Sequence, residues 1–218
     1  MALDMLPELR ARIAGAEDPF AAAVRLAITG NIIDFGPKGD TTEQDALDAI
    51  AHALSEPLYG DMHAFQDAVE QADGILYLAD NAGEIVFDRV LIEEILPQRV
   101  TLAVRGAPVI NDATIEDAEM AGLAELAEVI DNGSDAPGTI LSDCSAAFQK
   151  RFHESDLIIS KGQGNYETLS GEPAGIFFLL KAKCPVIAAH AGVPVGAQVL
   201  TRNSGVPNGR ASWVVGPV

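Results

Sequence analysis

GILYLADNAGE, residues 74–84, is the stretch on which the fold turns. Ile75, Leu76, Tyr77, Leu78 and Ala79 form a short apolar run, opened by Gly74 and closed by Asp80-Asn81. A run apolar on both faces marks a strand buried inside a parallel sheet. Downstream, residues 84–96 carry Ile85, Val86, Val90, Ile92 and Ile95 at helical spacing. The same alternation repeats. RVTLAVRG (99–106) reads as a second strand, 113–121 as a helix, AEVIDNG (127–133) as a third strand, 141–153 as a helix, and DLIISKGQG (156–164) as a fourth strand with its loop. The apolar runs 177–180 and 186–189 read as the last strands. Strand alternating with helix predicts an α/β fold with a doubly wound, mostly parallel sheet.

Upstream of Gly74 the chain reads as helical. Asp18 is placed to cap a helix and Pro19 suits its first position. Residues 35–40 are a loop, Thr41 to Gln44 open a helix running to about Ala53, and a third helix covers 61–71. The expected organisation is a helical subdomain over 1–73 and an α/β domain over 74–218. Residues 205–218 are turn-rich and read as a tail or an edge strand.

Composition narrows the classes. The 218 residues are 48% apolar but only 6% aromatic, so the core is built from Ala, Val, Leu and Ile, which suits helices packed on a parallel sheet. Mean hydropathy is +0.17, yet no apolar run approaches the ~20 residues of a membrane span. MALDMLPELRARIAG (1–15) lacks the basic-then-apolar pattern of a signal peptide, and two cysteines in a chain of this size fit a reducing cytoplasm. A net charge of −18 disfavours nucleic-acid and anionic membrane partners. It also repels phosphorylated metabolites, unless a cation or a placed lysine reverses the field locally.

Ligands of open parallel sheets bind outside the carboxyl ends of the strands. Those ends carry Asp80 to Glu84, Arg105 to Asp112, Asp131 to Asp135, and Ser160 to Glu167. Any one of these is ordinary turn chemistry. All four would converge on one edge. Asp and Asn oxygens without His or Cys suit a hard divalent cation, and Lys161 is a point charge for a phosphoryl group. The chain has neither the G-x-G-x-x-G fingerprint nor a G-x-x-x-x-G-K-[ST] loop, which counts against nicotinamide oxidoreductases and P-loop ATPases. The four histidines show no zinc spacing.

Asp80-Asn81-Ala82-Gly83-Glu84, Asn111-Asp112-Ala113-Thr114 and Lys161-Gly162-Gln163-Gly164-Asn165-Tyr166-Glu167 together resemble the damage-control phosphatase family, also called the protein-glutamate or acidic-residue methyltransferase-like family. Gly30 to Gly36 resembles a segment of its helical region, and the likeness runs from about residue 20 to 200. The resemblance implies hydrolysis of small phosphate monoesters, such as sugar phosphates and damaged or surplus phosphometabolites, with Mn²⁺, Co²⁺, Ni²⁺ or Mg²⁺. Carried over by position, Asp80, Asn81 and Asp112 are the metal ligands and, with Lys161, the catalytic set. Lys161, Glu84, Asn165 and Glu167 would meet the phosphate or substrate, with Asn31 and Asp34 reaching in from the helical part. The base beyond the metal would be Asp112 or Glu84. Members resembling this chain begin with a longer helical stretch carrying paired cysteines, and none precedes Ala2 here.

Three other readings compete. A non-catalytic metal or metabolite-binding module would bind without turnover. An S-adenosylmethionine-dependent carboxyl methyltransferase would want an acidic-Gly-x-Gly turn, which is not evident. A covalent aspartyl phosphatase would want Asp-x-Asp where Asp80 is followed by Asn81 and Ala82.

Overall fold

A computed structural model describes residues 2–30 and 43–203 of the chain. Asn31, Asp34 and the stretch 205–218 lie outside the described residues. In chain order the elements are α1 (Leu6–Ala14), α2 (Pro19–Thr29), α3 (Glu43–Ser55), β1 (Leu58–Gly60), α4 (Met62–Gln71), β2 (Ile75–Leu78), α5 (Ile85–Glu94), β3 (Val100–Val104), α6 (Ile115–Met120), β4 (Glu128–Asp131), α7 (Ala146–Glu154), β5 (Leu157–Lys161), α8 (Gly162–Leu169), β6 (Ile176–Lys181), α9 (Pro185–Ala191) and β7 (Gln198–Arg202).

The described strands form a seven-stranded sheet in the order β1-β7-β6-β5-β2-β3-β4. Strands β2 to β6 pair in parallel, β7 is antiparallel to β6, and β1 runs with β7. The fold is therefore α/β with a mostly parallel sheet. Side chains alternate across a strand, so each central strand feeds two cores. Ile75 and Tyr77 of β2 join Ile159 and Phe177 on one face. Leu76 and Leu78 join Ile158 and Phe178 on the other. Helices α1, α2, α4 and α5 cover the first face, and α7, α8 and α9 the second.

The helices start where local chemistry directs. Asp18 accepts from the Ala21 N–H at 2.9 Å to cap α2, and Asp61 accepts from Ala64 N–H at 2.9 Å to cap α4. Phe65 of α4 and Phe87 of α5 are fully buried in one continuous core with the sheet. Deleting one such phenylalanine costs about 3–5 kcal/mol, a large fraction of the ~5–15 kcal/mol that holds a typical domain folded. The amino-terminal helices are thus joined to the sheet by its own core.

Four expectations change. The helix predicted over 141–153 is broken: a 3₁₀ turn covers Leu141–Asp143, Cys144 is extended, and α7 opens behind the Ser145 cap. The stretch 1–73 is not purely helical, because Leu58–Gly60 adds an edge strand beside β7. Residues 186–189 belong to α9 and not to a strand: Pro185 occupies a first-turn position and the final strand is β7. Ala113 does not begin a helix. It hydrogen-bonds to Asp80 and Arg105 instead, and α6 opens two residues later behind extended Thr114 and its Thr114–Asp117 capping box.

Candidate active site

From β2 the chain moves through β3 to β4, then returns to the other side of β2 to lay down β5 and β6. Chain direction across the sheet reverses between β2 and β5, so a crevice opens above their carboxyl ends. Residues 79–81 leave β2 there, and Lys161-Gly162 leaves β5.

A third segment folds back into the same place. The Ala113 N–H donates to Asp80 O at 2.8 Å, and the Ala82 N–H donates to Asn111 O at 2.9 Å. Asn81 and Asp112 face one another across an isolated antiparallel bridge. Directly opposed residues in such a pair project from the same side, with Cβ atoms about 5 Å apart. Asp80 would ordinarily point the other way from Asn81, but Asn81 Nδ2 donates to Asp80 Oδ2 at 2.9 Å. Asp80, Asn81 and Asp112 are therefore gathered at one point on the edge.

Hydrogen bonds orient them. Asn81 Nδ2 also donates to Glu84 Oε2 at 3.0 Å. With both amide hydrogens directed at carboxylates, Oδ1 is the face of Asn81 turned outward. Asp112 Oδ2 accepts from Arg105 Nε at 2.6 Å, in a pair only 3% and 7% exposed. Its other oxygen carries no hydrogen bond among the described residues. Gly162 supplies the clearance. It has φ +79°, and a Cβ built on it would fall on the Asp80 carboxylate. Left-handed backbone and close approach both require glycine here.

Behind this group lie two buried networks. In one, Arg105 Nη1 donates to Thr139 Oγ1 at 3.1 Å and Nη2 to Asn165 Oδ1 at 3.0 Å. Asn165 Nδ2 donates to Ala79 O at 3.0 Å and Lys161 O at 2.8 Å, which ties the ends of β2 and β5 together. In the other, Lys161 Nζ donates to Ala27 O at 2.8 Å, to Glu84 Oε1 at 2.6 Å and to Asp88 Oδ1. Tyr77 Oη also donates to Asp88 Oδ1, at 2.8 Å. Burial opposes the Lys161 ammonium, but Asp88 and Glu84 outweigh it and raise its pKa. Burial likewise pushes the Tyr77 phenol well up.

These placements revise how several residues serve the site. Lys161, expected to touch phosphate, is fully buried with its three N–H groups directed at protein acceptors. Asn165, expected to bind substrate, is sealed and braces strand ends. Glu84 is buried between Lys161 and Asn81, and Glu167 is exposed on α8, where it accepts from Gln163 at 2.9 Å. Asn31 and Asp34 fall outside the described residues. Sequence reasoning gave no role to Arg105, Thr139 or Asp88. The available signal for Asp88 was its position four residues after Glu84, among Ile85, Val86, Phe87, Val90, Leu91 and Ile92 of a helix that is apolar nearly all round.

No group of three His, Cys, Asp or Glu side chains able to hold a metal is found among the described residues. The donor set here is different: two carboxylates and a carboxamide oxygen. Those are hard ligands, few enough to leave positions for water and phosphate oxygens, and they fit a small divalent cation.

Fold and site together define an α/β protein with an oxygen-donor cluster at the switch point of its sheet. The chain belongs to the damage-control phosphatase ARMT1-like family, whose domain matches residues 1–199. It is 44% identical over 189 residues to a damage-control phosphatase of Pyrococcus horikoshii, covering 84% of this chain and 65% of that one. It is 43% identical over 193 residues to an uncharacterized protein of Methanocaldococcus jannaschii, covering 82% and 61%. A damage-control phosphatase of Archaeoglobus fulgidus is 40% identical over 205 residues, covering 91% and 70%. The chain thus spans a little under two thirds of the first two relatives. The crystal structure of a DUF89 family protein from Pyrococcus horikoshii superposes with TM-score 0.82 at 40% identity, covering 93% of this chain and 73% of that one. Among the described residues no helix is long and apolar enough to cross a membrane.

Proposed function

We propose that the chain is a metal-dependent phosphatase that hydrolyses small phosphate monoesters, sugar phosphates or damaged and surplus phosphometabolites, in the cytoplasm. The observation that carries this reading is the bridge setting Asn81 opposite Asp112 with Asp80 turned to join them. Membership in a family described as damage-control phosphatases supports it, and the free Cys144 and Cys184 fit a reducing compartment.

Asp80, Asn81 Oδ1 and the spare oxygen of Asp112 would hold Mn²⁺, Co²⁺, Ni²⁺ or Mg²⁺. Such a cation, when bound, polarises phosphoryl oxygens and lowers the pKa of water. Arg105 holds Asp112 at one oxygen, and Glu84 holds the Asn81 amide. Lys161 contributes charge from behind the site, where it offsets Glu84 and Asp88. Of the two candidate bases, Asp112 borders the crevice, whereas Glu84 is closed off by Lys161 and Asn81.

The test is phosphate release from a generic aryl phosphate and a sugar phosphate across the four metals. We expect metal-dependent turnover that Asp80→Ala abolishes. Metal-independent turnover, or full activity in that variant, would contradict the reading.

A further inference from the structure

Tyr77, Glu84, Asp88 and Lys161 form a closed cluster between β2, β5, α5 and α2. At formal charges, two carboxylates face one ammonium in a space sealed from solvent. Asp88 thus shares its one ammonium with Glu84, and a carboxylate so incompletely compensated at this depth is costly. Its second oxygen is where that cost can be relieved. Asp88 Oδ1 accepts from both Lys161 and Tyr77, while Asp88 Oδ2 is buried with no hydrogen-bond partner among the described residues. A proton on Oδ2 removes the charge from that orphaned carboxylate. Burial, with Glu84 adding to it and Lys161 opposing, raises the Asp88 carboxyl to about 7.

The cluster also touches the cation ligands. Asp88 meets Lys161, Lys161 meets Glu84 Oε1, and Glu84 Oε2 holds the Asn81 amide. The groups facing Asp88 are Tyr77 from β2, Lys161 from β5 and Glu84 on its own helix, with the Ala27 carbonyl of α2 on the far side of the ammonium. We propose that Asp88 is a positioning residue that sets the charge behind Asn81, through Lys161 and Glu84, by holding or releasing one proton. The proposal rests on Asp80, Asn81 and Asp112 being cation ligands. With Asp88 protonated, the Lys161 ammonium is left chiefly to Glu84. With Asp88 ionised, Lys161 is shared and the cluster carries one more negative charge behind the site. A cation arriving at Asn81 favours the second state, so its binding drives the Asp88 proton to solvent.

Two measurements on the metal-free full chain test this. Carbon-detected NMR of side-chain carboxyls should show one Asp titrating near neutrality. That signal should be absent in Asp88→Asn and shifted to higher pH in Tyr77→Phe, which removes a donor to the carboxylate. Calorimetry of Mn²⁺ binding in buffers of different ionisation enthalpy should show proton release below neutrality. Affinity should rise roughly three- to tenfold between about pH 6 and about pH 8. In Asp88→Asn both the release and the rise should vanish. Tyr77→Phe, which keeps the carboxylate, should retain them at a higher midpoint. Mn²⁺ binding with the same proton release in Asp88→Asn, or no Asp titration near neutrality, overturns the proposal alone. Failure of the wild type to bind Mn²⁺ at any pH overturns the cation reading and the proposal with it.

Discussion

Both edges of the sheet carry an arginine–carboxylate pair, and the two pairs differ in kind. At the amino edge, Arg151 meets Glu128 at 3.0 Å with side chains 45% and 52% exposed, beside a groove of about 420 Å³ that Arg99 and Thr101 also line. At the carboxyl edge, Arg105 meets Asp112 at 2.6 Å, almost wholly sealed. The amino-edge pair is solvated and screened, and such pairs contribute about 0–1 kcal/mol. The carboxyl-edge pair is dry and braced by Thr139 and Asn165. It holds one oxygen of Asp112, and the other carries no hydrogen bond among the described residues. Burial turns an ordinary ion pair into a fixture that orients the Asp112 carboxylate.

The comparison breaks or sharpens under substitution. Arg105→Met strips Asp112 of its buried partner and should cost roughly 3–5 kcal/mol in urea unfolding, with loss of cation binding. Gly162→Ala forces a side chain into left-handed backbone, a strain of about 1–3 kcal/mol, and into the Asp80 carboxylate. Cation affinity should suffer more than stability, a split that calorimetry and thermal unfolding on one sample resolve. A third effect is set by pH. Because Asp88 binds its proton more tightly folded than unfolded, its contribution is fully present below about pH 4 and fades as pH rises through about 7. Wild type should therefore lose stability across that window relative to Asp88→Asn, as parallel denaturation series would show. Arg151→Ala should change stability by under about 1 kcal/mol. Were it as damaging as Arg105→Met, depth would not be what separates the edges.

Much of the scaffold was legible in the sequence for a plain reason. Parallel strands buried on both faces read as near-continuous apolar runs; residues 75–79 do so without a break and 100–104 with Thr101 as the one interruption. Asp80, Asn81 and Asp112 could be singled out as candidates because the carboxyl ends of parallel strands share one edge of the sheet. Other parts had no decisive local signal. Leu58–Gly60 is three residues long and becomes a strand only through β7, laid down much later in the chain. Residues 186–189 are apolar in a way that suits strand or helix equally, and Pro185 arbitrates. Lys161 read as an available point charge because its acceptors come from α2 and α5, far away in sequence. Asp88 was given no role: its spacing from Glu84 is a local signal, but Arg89, Glu93 and Glu94 on the same helix suit a solvated position as well. Only the packed structure shows it at the bottom of a closed cluster.

The central claim is that three side chains from two separate segments grip a single cation. The most direct test is anomalous diffraction from crystals of the full chain soaked in Mn²⁺. The account predicts one peak about 2.1 Å from oxygens of Asp80 and Asp112 and from Asn81 Oδ1, with Arg105 still on the other oxygen of Asp112. A peak that engages only one of the three residues, or an Asn81 that presents its amide nitrogen to the crevice, would contradict it.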